Sequence, residues 1–329
     1  MLRSFPVRLA WFDLDHLAAR RAATNHGGIV VDSVGELVAA DVVIVAVPSP
    51  HAECVATFTE EGVHVVSLAD APTDIAAMLS EHATAKDHGV SVVVGAGVSP
   101  GLTGVLAHHL GERLSIVDEI HVAMHGTAGP ACARRHHDAL AGRAVGWHDG
   151  EWVERPGGSG RELCWFPEPI GPADCYRAAV ADPLLLHLAF PDAERISARV
   201  SATRRDRLTA RLPMLSPPHR DGDRGGVRVE VRGAAADGAR VTHLVGAEGR
   251  TADLAGAVAG SFALACAAGR TAAGVVVAGA DHELSTWMLR SVADAGVKLR
   301  EYTGVASSVL AESTERPGST GSNRSAGVS

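Results

Sequence analysis

Through the first hundred positions, apolar residues fall in short unbroken runs separated by stretches where they recur every three or four residues. The runs predict strands at Val7–Phe12, Ile29–Val31, Val42–Val47, His64–Leu68 and Val90–Val94. The stretches between and after them predict helices at His16–Asn25, Val34–Ala39, Ala52–Glu61, Thr73–His88 and Leu102–Leu110. The strands are β-branched and lack polar alternation, as expected when helices cover both faces of a parallel sheet. The first part of the chain therefore reads as α/β, a doubly wound parallel sheet.

The pattern changes near residue 112. Ile116–Met124 reads as a strand, but positions 126–225 are dense in Gly, Pro, Arg, His and Trp and carry few periodic runs. Two alternating runs, Val227–Arg232 and Arg240–Val245, flank the turn-forming GAAADGA and predict an antiparallel hairpin. Helix Ala252–Ala268, strand Gly274–Val277, helix Glu283–Ala295 and strand Val297–Tyr302 follow. The expected organisation is a first domain over 1–112, a second, α+β domain over 113–304, and a disordered tail over 305–329, whose ESTERPGSTGSNRSAGVS has almost nothing to bury.

Composition narrows the function classes. The 329 residues carry a net charge of −8 with a pI near 6.1, which argues against nucleic acid as a partner, because phosphate neutralisation needs a basic face. Five cysteines without a C-x-x-C pair suggest neither a disulfide framework nor a zinc knuckle, and a reducing cytoplasm fits best. The N-terminus has acids where a signal peptide keeps an apolar run. Leu254–Gly269, the most apolar helical stretch, is short of the roughly 20 residues a bilayer requires, so it is expected to be a buried helix and no membrane partner is expected.

A dinucleotide-binding domain opens with a strand, a G-x-G-x-x-G turn and a helix, and places its ribose-binding acid about 20 residues beyond the glycines. Asp13 or Asp15, just after the first strand, is the natural acid, yet no Gly precedes it. A rival loop, Gly95, Gly97 and Gly101 in VSVVVGAGVSPGL, has G-x-G-x-x-x-G spacing, and no carboxylate ends the next strand.

The segment VVVGAGVSPGLTGVLAHHL, preceded by DVVIVAVPSP and EEGVHVVSLAD, resembles the N-terminal domain of saccharopine dehydrogenase-like reductases. The late GVVVAGADHELSTWMLRSVADAGVKLREYTG is similar to that family's C-terminal strand-helix-strand. The resemblance covers roughly 5–112 and 252–304 and lacks the first strand, phosphate loop and first helix. It implies a Rossmann-like sheet of order 3-2-1-4-5-6 with its central strand missing, so that strands Val7–Phe12 and Val42–Val47 either pair directly or leave two apolar edges open. A start codon later than the native one would account for the loss.

The resemblance further implies a cytoplasmic oxidoreductase moving hydride between NAD or NADP and the carbon of a C–N bond in an amino-acid-derived substrate. Asp13 would accept the ribose hydroxyls and favour NAD, although binding without the glycine loop is expected to be poor. Asp32 and Ser33 would lie beside the adenine. Val47, Pro48 and Ser49 would line the nicotinamide side, and Gly97, Ser99, Pro100 and Gly101 the carboxyl edge of the sheet.

The middle segment supplies candidate substrate chemistry. His125, directly after a strand, is the first choice for acid–base work, since its pKa lies near neutrality, with Tyr176 and Asp174 beside it as further catalytic candidates. Arg161, Arg177, Arg204, Arg205 and Arg207 could grip an anionic or amino-acid-like substrate. The pair His136-His137 lacks helical metal-site spacing, so no metal is expected. A sugar or polyol oxidoreductase and a non-catalytic binding protein without the phosphate loop stand as alternatives, and either leaves room for a homodimer.

Overall fold

The computed structural model of the protein describes residues 7–214 and 222–302, so the tail expected at 305–329 lies outside the described residues. Strands β1 (Ala10–Trp11) and β2 (Ile29–Val30) flank helix α1 (His16–His26) and pair in parallel. A separate parallel sheet contains β3 (Val42–Val45), β4 (His64–Ser67), β5 (Ser91–Val94) and the late β14 (Gly274–Val277), in the order β14-β5-β4-β3. The late β14 thus joins a sheet whose other strands come from the first hundred residues.

The two apolar edges stay open. Strand β1 pairs only with β2, and β3 only with β4. The central position of a doubly wound sheet is unfilled among the described residues, and the consequence shows at the surface. Leu14, Leu17, Ile29, Val34, Val38, Ile44 and Val47 are all exposed, Leu14 at 89% and Ile29 at 65%.

Helices α2 (Ala52–Glu60), α3 (Pro72–Leu79) and α4 (His82–Asp87) cover one face of the parallel sheet through Val55, Phe58, Ile75 and Met78. The single helix expected at Thr73–His88 is two. Ser80 and Glu81 donate their amides back to Ala77 O and Met78 O, a tightened last turn that ends α3, while the Ser80 hydroxyl also takes Ala77 O. The short helix at Val34–Ala39 is 3-10. Helices α5 (Leu102–Gly111) and α9 (Thr251–Ala267) cover the other face, and the small residues of α9 let it pack closely on β3 and β4. No described helix is long and apolar enough to cross a membrane.

The second sheet is mixed, with β6 (Ile116–His125), β12 (Arg224–Ala234) and β13 (Arg240–Arg250) at its centre. The poorly periodic stretch between 126 and 225 holds much more structure than its pattern suggests. It forms α6 (Pro130–Ala141), β7 (Arg143–His148), β8 (Glu151–Pro156), β9 (Glu162–Trp165), β10 (Pro172–Arg177), α7 (Asp182–Ala189), β11 (Arg195–Ser201) and α8 (Arg204–Thr209). Strand β11 runs parallel to β6, and its far edge forks: residues 199–201 pair with β10 and residues 195–196 with β7. After α10 (His282–Asp294), β15 (Lys298–Glu301) closes the other edge on β13. One face of this sheet buries Ile120, Val122, Ile196, Val200, Val229 and Val245 in a core shared with α5 and α9.

The two halves meet most closely where α5 crosses the loop after β14. A Cβ at Gly104 would overlap Ala278 O, and one at Gly279 would come within 2.5 Å of Gly104 O. Gly104→Ala is expected to destabilise the protein by about 1–3 kcal/mol, the usual cost of overpacking. Gly256→Ala, in α9 with nothing within 4 Å of its added Cβ, is expected to gain up to about 1 kcal/mol. Urea unfolding of the two variants checks this, and equal effects would contradict the close-contact account.

Candidate active site

The loops at the carboxyl ends of β3, β4 and β5 lie at the sheet edge where ligands bind in open α/β folds. Behind β3, Val47 and Pro48 are exposed and Ser49 is half-buried. Buried His51 locks this loop to the next. Its Nε2 donates to Val47 O (2.7 Å), since a carbonyl can only accept, and its Nδ1 meets Ser67 Oγ at 2.8 Å. The amides of His51 and Ala52 donate to the Asp74 carboxylate at 2.8–3.0 Å, so the N-terminus of α2 is already occupied by an anion.

The loop after β5 closes on itself. Gly97 N donates to Pro100 O, Leu102 N to Gly97 O and Thr103 N to Val98 O, while Ala96 N reaches Ser67 O at 2.7 Å. Gly101 sits at φ +125°, where a side chain would strike Gly97 O. The hydroxyls of Ser99 and Thr103 donate to the two carboxylate oxygens of Asp182, at 2.8 and 2.7 Å. Asp182 is the first residue of α7 and is fully buried, and that burial pushes its pKa up to about 6 against the pull of the two hydroxyls.

Helix α6 forms the facing wall. Arg135 pairs with Asp70 across the cleft (Nε to Oδ1, 3.2 Å) and donates from Nη2 to Ala179 O at 2.5 Å. Burial raises the Asp70 pKa, with the Arg135 charge pulling it down. His125 ends β6 with its ring 5.6 Å from that of Phe166, and its buried Nδ1 has no hydrogen-bond partner among the described residues. Burial lowers its pKa, which Asp223 opposes. His136, enclosed between His125 and Arg135 in electrostatic terms, donates from Nε2 to Ser201 O (2.9 Å), and burial lowers its pKa too. A cation and a carboxylate thus meet at the edge of the parallel sheet, with the neutral His136 ring next to Arg135 and His125 set against Phe166. That set can hold a carboxylate and move one proton.

The other sequence-derived candidates are dispersed. Tyr176 is buried in the core, its ring 5.4 Å from the Arg207 guanidinium, and Asp174 pairs with Arg161 at 2.9 Å. Among the described residues no hydrogen bond or ion pair joins either to His125. Arg204, Arg205 and Arg207 are exposed on α8. Arg177 lies elsewhere again, in a notch of about 180 Å³ where the sheet forks, together with Arg155, Arg195 and Trp147. Burial and then the neighbouring Arg199, Arg155 and Arg195 charges lower its pKa. The five arginines therefore do not converge on one concavity. Ser33 and Glu36 form a capping box, with Glu36 also accepting the Asp32 amide.

Arg135, Asp70, His51 and Asp182 were not singled out as site residues by the sequence. Arg135 stood within a segment noted for its charge, but nothing local marks a partner 65 positions away, and Asp182 carries no sign of its burial.

A dinucleotide needs free amides at a helix N-terminus for its pyrophosphate. Helix α1 begins behind Asp13 and Asp15, with Asp15 capping Leu17 N and Asp13 accepting Asp15 N. Asp74 occupies α2, and the loop before α5 uses its own amides. Behind these sheet loops the described N-termini of α1 and α2 are thus taken by carboxylates and that of α5 in part by its own loop, and no glycine fingerprint frames a pyrophosphate.

No protein-family model matches the sequence, and no curated protein matches it. Among solved structures, the chain is similar to saccharopine dehydrogenase (L-Glu forming) from Saccharomyces cerevisiae, at 15% identity over 90% of this chain and 94% of that one, with a TM-score of 0.64. It is less similar to GenD2 from gentamicin A biosynthesis, solved with NAD, at 16% identity over 92% and 91% of the two chains and a TM-score of 0.45. A meso-dapdh mutant from Clostridium tetani E88, solved with DAP, gives 14% identity over 80% and 83% and a TM-score of 0.43. The likeness to the yeast protein shows the fold class: an α/β architecture with a parallel sheet and a mixed second sheet, as the sequence resemblance implied.

Asp182 gives this site a pH signature. With its pKa raised from 3.8 to about 6, the folded state keeps a proton that the unfolded chain releases. The stabilisation is complete below pH 3.8 and is lost as pH rises through 6, on the order of 3 kcal/mol in total. The unfolding free energy of wild type relative to Asp182→Asn is expected to fall across that window and level off above it. A difference that stays constant from pH 4 to 7 would contradict the buried-acid assignment.

Proposed function

We propose that the protein is an oxidoreductase of the saccharopine dehydrogenase type, acting at the C–N bond of an anionic, amino-acid-derived substrate with NAD(P) as redox partner. The observation that supports this most directly is the Arg135–Asp70 pair, which joins α6 to the carboxyl edge of the parallel sheet. A substrate carboxylate would replace Asp70 as the partner of Arg135, a bidentate fork well matched to two oxygens. His125 has its pKa lowered by burial, so its ring is neutral near pH 7, and its unpartnered Nδ1 is free to hold or release the proton of a substrate nitrogen. Asp182 would keep the loop holding Ser99 fixed beneath the substrate.

A second reading, a binding protein without redox chemistry, draws support from the missing pyrophosphate cradle. Calorimetric titration of the 329-residue chain with L-glutamate, L-lysine, 2-oxoglutarate, NADH and NADPH separates the two. Carboxylate binding together with dinucleotide binding supports the oxidoreductase, and carboxylate binding alone supports the second reading. Arg135→Met is expected to weaken the carboxylate ligands at least about 10-fold, or about 1.4 kcal/mol. No carboxylate binding, or binding that Arg135→Met leaves unchanged, would overturn the cleft as the substrate site.

A further inference from the structure

Helix α5 carries a second cluster at its far end, where it packs on α10. His108 lies on α5 and Glu112, one turn on, is the residue that ends it, while His282 is the first residue of α10. His108 Nε2 lies 3.4 Å from His282 Nδ1 and 3.6 Å from Glu112 Oε1, and His282 Nδ1 lies 2.6 Å from the same Glu112 oxygen. We propose that His108, Glu112 and His282 bind one divalent transition-metal ion of the zinc class.

Three observations support the assignment. The first is spacing. Ligand atoms about 2.0–2.2 Å from a tetrahedral zinc stand about 3.3–3.5 Å apart, close to two of the three separations seen. The third is a hydrogen bond, which the arriving ion replaces by opening the His282–Glu112 contact slightly. The second observation is orientation. His108 Nδ1 donates to Gly279 O at 2.9 Å, because a carbonyl can only accept, so a neutral ring turns its Nε2 lone pair toward Glu112 and His282. A backbone carbonyl on the second ring nitrogen is the usual partner that fixes a metal-bound histidine.

The third observation is rigidity. The contact of Gly104 with Ala278 and Gly279 admits no side chain, so the turn of α5 before His108 is fixed against the carbonyl that orients it. Two imidazoles and a carboxylate suit zinc, nickel or cobalt better than calcium or magnesium. A cavity of about 230 Å³ adjoins the cluster, lined by His108, His109, Glu112, Ser285, Thr286 and Arg290 among others, and gives water access to a fourth position. The bound ion would staple α5 to α10, outside the cleft and independently of any redox chemistry there.

The test is titration of the 329-residue chain with Zn²⁺ against a chromophoric chelator, and with Co²⁺ by visible absorption. One equivalent is expected to bind, with the strong visible bands of four-coordinate Co²⁺. His108→Ala and His282→Ala should each lower the affinity by about 10-fold or more, and Glu112→Gln should also weaken it. His88→Ala, at an exposed histidine on the opposite side of the sheet's helical cover, should change nothing. Zn²⁺ should raise the melting temperature of wild type and not of the two histidine variants, whose exposed or half-buried side chains can be removed without opening the core. No stoichiometric binding, or binding and thermal shifts that survive both histidine substitutions, would overturn the site.

Discussion

Asp182 is the constraint on which the cleft depends. A carboxyl group excluded from water is costly as a charge and is tolerated here because two hydroxyls, from Ser99 and Thr103, point at its two oxygens. Those donors belong to the loop after β5 and the start of α5, whereas Asp182 itself opens α7, which packs on β11 of the other sheet. One buried side chain therefore sets where the carboxyl edge of the parallel sheet stands relative to the mixed sheet. Arg135 can reach Asp70 across the gap only while that spacing holds.

Helix α5 extends the same constraint away from the cleft. Its first turn is held by Asp182, its third residue lies against the backbone of Ala278 and Gly279, and its last turns present His108 and Glu112 to α10. Beyond it, Arg113 and His109 pair with Glu301 on β15, whose carboxyl the Arg113 hydrogen bond holds down near 2. Segments separated by some 170–190 positions are thus tied to one ten-residue helix. The opposite end of the parallel sheet has no such spine, and the exposed apolar residues of 14–47 mark where cover is lacking.

Where local pattern and tertiary environment agree, the sequence is easy to read. The β-branched runs at 64–67 and 91–94 are strands buried on both faces, 42–45 is one whose Val43 and Val45 are buried, and Gly274–Val277 has its expected bounds although its partner, β5, lies far away in sequence. Of the two outcomes left open for Val7–Phe12 and Val42–Val47, the described strands take the one without direct pairing. Strands β8 and β9 were not legible, since edge strands such as EWVERP expose most of their residues and show no buried period. His125 was singled out from its place after a strand, and it does end β6. Asp182 and Arg135 were not, because their roles come from contacts 44 to 83 positions away. The arginine runs misled for a simple reason: density of charge along the chain says nothing of direction, and α8 turns its cations to solvent.

The central claim is that an anionic substrate binds between α6 and the carboxyl edge of the parallel sheet rather than in the arginine-lined notch at the fork of β11. Amide hydrogen exchange read by mass spectrometry, with and without 2-oxoglutarate, tests it most directly. The account predicts slowed exchange in peptides covering 95–103, 125–136 and 179–186, with 143–155 and 195–198 unchanged. Protection confined to 143–155 and 195–198 would place the anion in the notch and contradict it.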